Sequence, residues 1–167
     1  ITLWDNIFCQ HKLITEKFKI KKIALVLGWS MAGCQSYQWA AQYPDMVNAI
    51  LPFCASSKTS IHNYVFLEGV KAALITDKTW LNGKYKTQPI NGLKAFGRVY
   101  AGWAFSQDFY RKKLFKKLGY KKVEDLLDDW AEDHAKNWDA NNLLCKLETW
   151  QQNDISQNYL YKGNYIK

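Results

Sequence analysis

In Gly28-Trp29-Ser30-Met31-Ala32-Gly33 a serine stands among small residues, directly after the apolar run 23–27. A serine hydroxyl turns nucleophilic when a base takes its proton and donors meet the charge that develops on the attacked carbonyl. Small neighbours let the backbone turn sharply from strand to helix. The helix that follows then aims its first N–H groups at that charge. A tight turn that needs small residues only for packing has the same composition, so the flanking elements decide what the motif is worth.

Those elements suit the chemistry. Residues 23–27, "IALVL", form a continuous apolar run of the kind expected for a parallel strand covered on both faces. Residues 31–43 read as a helix stopped by Pro44, and "MVNAILPFC" reads as a second buried strand ending near Pro52. Strand, helix and strand thus fit into about the 30 residues that a βαβ unit needs. Before them, residues 5–18 form a helix with Ile7, His11, Ile14 and Phe18 on one face and Asp5 as its cap. After Cys54 the pattern becomes helical, with segments over 60–77, 92–103, 106–118 and 123–154. The last is broken near 137–139, and Leu143, Leu144, Leu147 and Trp150 share a face. Residues 1–56 therefore read as a short α/β piece and 57–167 as a mostly helical, lid-like piece.

Bulk composition narrows the function. With 48% hydrophobic and 16% aromatic residues, the 167-residue chain is globular and large enough for a core. No apolar run reaches the ~20 residues of a membrane span, and no leader is visible, so a cytoplasmic location is expected. The net charge of +8 comes mainly from Lys; Arg98 and Arg111 are the only arginines, which argues against nucleic-acid readout. Cys9, Cys34, Cys54 and Cys145 lack zinc-ligand spacing, and no metal is expected. Neither a G-x-x-x-x-G-K-[ST] loop nor a three-glycine dinucleotide fingerprint is present. The chain opens on Ile1 rather than Met, and a piece of a longer protein is the expectation.

The segment around Ser30 resembles the G-x-S-x-G nucleophile elbow of α/β-hydrolases, with Ala32 in the fifth place and Gly33 next. More narrowly, "LGWSMAGCQSYQWAAQYPDMVNAILPFCAS" resembles the homoserine O-acetyltransferase family. Downstream, Ser60 and Asn63, Asp77 and Trp80, Gly83 and Tyr85, and Pro89, Gly92 and Leu93 follow in that family's order. The resemblance implies a partial α/β-hydrolase fold followed by a helical lid. It implies ping-pong acetyl transfer from acetyl-CoA to the hydroxyl of a small amino acid such as homoserine, a step in amino-acid biosynthesis. Ser30 would be the nucleophile and the Met31 N–H half of the oxyanion hole. No bound cofactor is implied; the partners are small molecules, with a homodimer expected through the lid helices. The family carries a substrate-gripping arginine where Gly97 stands here, which leaves Arg98, one position on, as the candidate. Its Asp and His follow the lid, outside this chain.

The histidines inside the chain are weaker candidates for the base. His11 reads as a core or boundary residue, His62 as a solvent-facing loop residue, and His134 as part of a charged, solvated helix face beside Asp128, Asp129 and Asp133. A carboxyl-ester hydrolase on the same fold and a non-catalytic relative are the competing expectations.

Overall fold

A computed structural model describes residues 1–158 and 160–164. Its contacts divide the chain into two compact units. One is Ile1–Tyr64 together with the described residues from Lys146 onward; the other is Val65–Cys145. This division by contact differs from the division by element type at residue 56.

In the first unit, α1 (Leu3–Lys12) runs into a wider π-type turn over Leu13–Lys17. Thr2, not Asp5, caps α1. Asp5 sits three positions in, and its carboxylate accepts from the Thr2 N–H at 2.8 Å while the Asp5 N–H donates to the Thr2 hydroxyl. Those hydrogen bonds, first the one from the Thr2 backbone, hold the Asp5 carboxyl below its usual range. A hydroxyl on the residue immediately before the helix is the better cap because it leaves Asp5 free to reach back.

The βαβ unit is present: β1 (Val26–Trp29), α2 (Met31–Gln42) and β2 (Ile50–Phe53), with the strands parallel and Gly28 opposite Pro52. Both strands are shorter than the apolar runs suggested. Ile23 and Val47 still pair in parallel, but as an isolated bridge. The core here is Ile7, Trp39 and Met46, against which Ile14, Ile23, Val26, Tyr43 and Val47 pack. Gln10 joins α1 to α2, accepting from the Trp39 indole and donating to Gln35, both at 2.9 Å.

Within residues 1–167 the two strands are covered on one face. Leu27 and Trp29 of β1 are 59% and 66% exposed, and Leu51 and Phe53 of β2 face the same way. Among the described residues, α1 and α2 cover one face of this two-stranded sheet. The apolar run reports what the strand can bury, not what this stretch of chain supplies to bury it.

The helical part follows the sequence closely: α3 (Ile61–Ile75), α4 (Ile90–Ala104), α5 (Gln107–Arg111), α6 (Val123–Asn137) and α7 (Ala140–Gln151). The segment expected as one helix over 106–118 is two short pieces, because the backbone turns left-handed at Lys113 (φ 51°) before a 3-10 turn over Leu114–Leu118. Within the second unit α4 packs closely on α6. Lys94 pairs with Glu132 at 2.5 Å and Arg98 with Asp128, and Gly97 lies at the crossing.

His134 departs from expectation. It is 7% exposed, with its ring among Phe96, Tyr100, Trp130 and Trp138 and Nδ1 2.7 Å from the Trp130 carbonyl. It stands eight residues after buried Leu126, on the inner stripe of α6, while Asp128, Asp129 and Asp133 occupy the outer face. The neighbouring charges concealed that register.

Gly97 sets how closely the two helices approach. A Cβ there would meet the Trp130 carbonyl oxygen at 2.5 Å and His134 Nδ1 at 2.9 Å. Alanine would gain up to about 1 kcal/mol in helix propensity, but forced overpacking costs about 1–3 kcal/mol or more. Gly97→Ala is therefore expected to lower unfolding stability by roughly 1–2 kcal/mol, read as a fall in the urea midpoint at unchanged slope.

Candidate functional site

Ser30 lies between β1 and α2 with φ 56° and ψ −125°. A non-glycine residue held there costs about 1–3 kcal/mol, and such strain persists only where the surroundings over-determine it. Several contacts do so. The Ser30 N–H donates to the Phe53 carbonyl at 3.1 Å, carrying the strand pairing into the turn, and the Ser30 carbonyl accepts from the Gly33 and Cys34 N–H groups at 2.8 and 3.1 Å.

The glycines explain why the turn can be so sharp. A Cβ on Gly28 would lie 2.0 Å from the Ala32 carbonyl oxygen, and one on Gly33 would lie 2.5 Å from the Ala55 Cβ and 2.9 Å from the Gly28 carbonyl oxygen. The fifth position tolerates Ala32, whose side chain is exposed. The close packing on β2 falls instead to Gly33. The first turn of α2 holds no acidic residue, so nothing there offsets the positive end of the helix beside Ser30. The Met31 and Ala32 N–H groups lie in that first turn, where no intrahelical acceptor exists.

A cavity of about 290 Å³ opens at Ser30. Cys34 from α2 and Cys54, Ala55 and Ser56 from the end of β2 line one part of it. Lys58, Ser60, Asn63 and, from α7, Trp150 line the rest. Cys34 is buried, and burial pushes its thiol above the usual range; Cys54 is exposed and has a left-handed backbone (φ 53°). Of the spaced signatures, only Ser60 and Asn63 reach this cavity, with the Ser60 hydroxyl accepting from the Asn63 N–H at 3.2 Å.

The other signatures brace the second unit. Burial opposes ionisation of Asp77. Hydrogen bonds from the Thr79 N–H and hydroxyl and from the Gly92 N–H outweigh it and hold the carboxyl low. Gly92 is needed because a Cβ there would lie 2.3 Å from the Leu74 carbonyl oxygen. The Tyr85 hydroxyl donates to Asp139 at 2.6 Å and is the first cause of that carboxyl's lowered pKa. Arg98 is paired with Asp128 and half exposed.

The described histidines differ in placement. His11 stacks on Tyr43 at 3.8 Å, at the C-terminal end of α2. Twelve residues of helix, about 18 Å, separate that end from Ser30. His62 is exposed in the first turn of α3 rather than in a loop. Sequence reasoning singled out Ser30 and the turn but missed Trp150, Cys54, Ser56 and Lys58 as cavity residues. Trp150 was legible only as part of an apolar helix face.

No family model matches the chain. It is 31% identical over 159 residues to the ethyl acetate hydrolase of Pseudomonas veronii, covering 94% of this chain and 46% of that protein. It is 29% identical over 171 residues to the homoserine O-acetyltransferase of Methanococcus vannielii, covering 95% of this chain and 35% of that protein. The solved structure of the acetyl esterase MekB superposes with a TM-score of 0.93 at 30% identity, covering 98% of this chain and 48% of that one. The chain thus spans half or less of the length of these relatives. No helix among the described residues is long and apolar enough to cross a membrane. With Ser30 strained between a parallel strand and a helix, and with this likeness to both esterases and homoserine O-acetyltransferases, the chain is a partial α/β-hydrolase fold.

Proposed function

We propose that Ser30 is the nucleophile of an enzyme that hydrolyses short acyl esters. The observation that carries the nucleophile is its strained backbone at the N-terminus of α2, with a cavity at its side. In this reading Ser30 Oγ attacks the ester carbonyl and gives its proton to a histidine supplied from outside residues 1–167. The Met31 N–H donates to the oxyanion. The alcohol leaves with that proton, and water then releases the acid from the acyl-serine.

Hydrolysis is favoured over transfer to an amino acid by Gly97. The arginine that grips an amino-acid carboxylate in the resembling transferases has no room at this position, where even a methyl group meets the Trp130 carbonyl. Arg98, one residue on, is engaged by Asp128. The second reading, acetyl transfer from acetyl-CoA to a homoserine-like hydroxyl, draws on the spaced signatures from Ser60 to Leu93.

Two outcomes are expected of the full-length enzyme. Ser30→Ala should lower kcat/KM for a short-chain acetate ester by at least about 10³-fold with the fold retained, since catalysis by the oxyanion hole and binding alone is what remains. Mass spectrometry should find the trapped acyl group on the Ser30 peptide; an acyl group elsewhere refutes the assignment. Arg98→Ala should change ester hydrolysis by less than about threefold. An acetyl-CoA and homoserine assay with strong turnover that collapses in Arg98→Ala would instead establish the transferase reading.

A further inference from the structure

From the way the chain after α7 is stitched to the chain after β2, we infer that Trp150 is the wall that limits the length of the acyl group accepted at Ser30. The inference rests on the reading of Ser30 as the acylated residue. Trp150 lies 120 positions from Ser30 in sequence, yet both line the same cavity of about 290 Å³. It has the largest side chain of the lining residues and is partly buried.

Its backbone is anchored from several directions. The Trp150 carbonyl accepts from the Thr59 hydroxyl at 2.6 Å and from the Asn153 N–H at 3.1 Å. The Thr59 N–H donates to the Asn153 carbonyl at 2.8 Å, the Asn153 side chain donates to the Ser56 carbonyl at 3.1 Å, and the Ile155 N–H donates to the Ser57 carbonyl at 3.0 Å. Lys58 and Asp154 pair both as an antiparallel bridge and as an ion pair of 2.9 Å. Thr59 and Asn153 are themselves buried. The anchored backbone fixes the point from which the indole projects at the cavity.

The acyl arm is the one that must fit. It is bonded to Ser30 Oγ from the first half-reaction until water releases it in the second, whereas the alcohol departs in the first. A cavity that Ser30 itself lines is the space available to the group it carries, and a filled methylene subsite discriminates by about 10–200-fold.

The test uses the full-length enzyme and two ester series. In one, p-nitrophenyl acetate, butyrate, hexanoate and octanoate vary the acyl arm; in the other, ethyl, butyl and hexyl acetate vary the alcohol. The wild type should fall at least about tenfold in kcat/KM from acetate to octanoate. Trp150→Ala should raise the octanoate-to-acetate ratio at least about tenfold, and Trp150→Phe should raise it less, while the hexyl-to-ethyl acetate ratio stays within about twofold. A wild type indifferent to acyl length, a folded Trp150→Ala with an unchanged ratio, or a shift confined to the alcohol series would each overturn the inference. Should Trp150→Ala fail to fold, Trp150→Phe and the wild-type profile decide it. Hydrolysis that survives Ser30→Ala would overturn the nucleophile reading instead.

Discussion

The close approach of two backbones at Gly28 and Gly33 is the constraint on which the rest of this unit depends. Gly28 lets the start of α2 fold back against the end of β1, and Gly33 lets α2 settle on the residues that follow β2. Ser30 sits between these two contacts. It takes a positive φ where the chain passes from strand to helix within few residues. Strain at one residue is thereby offset by strand pairing and helix hydrogen bonds on either side.

That geometry has a chemical consequence. A helix whose first turn lacks acidic residues begins beside a partly exposed hydroxyl, so its positive end is available to an oxyanion. A cavity lined by Ser30 sits there as well, closed on one part by a residue from the far end of the chain. The hydrogen bonds between residues 56–59 and 150–155 connect that remote residue to the chain after the strand that supports the turn. Hydrogen bonds at Phe53 hold the Ser30 turn, and those at residues 56–59 hold Trp150, so both are tied to the chain at and just after β2.

The second unit shows how a family-like pattern can be structural rather than catalytic. Asp77, Gly92 and Tyr85 match the spacing of a transferase, yet their hydrogen bonds cap turns and fasten α4 and α7. The one position that would carry the transferase's grip on its acceptor is a glycine buried in the α4–α6 crossing. The frame thus resembles that of the transferases while the acceptor position differs.

The sequence alone determined the local order of elements, because that order is written in short-range signals. The apolar runs, Pro44, the small residues around Ser30 and the periodicity of α3, α4, α6 and α7 located the βαβ unit, its turn and the helices after it. Only the tertiary structure decided burial and assembly. Thr2 rather than Asp5 caps α1, because capping depends on which side chain can reach a given N–H. His134 is buried, because the register of α6 against α4 outweighs the charges beside it. Among the described residues of 1–167 one face of the strands has no cover, and an apolar side chain states a capacity for burial, not where its cover comes from. Trp150 reaches the Ser30 cavity through contacts between residues some ninety positions apart, and no local pattern encodes a pairing that distant.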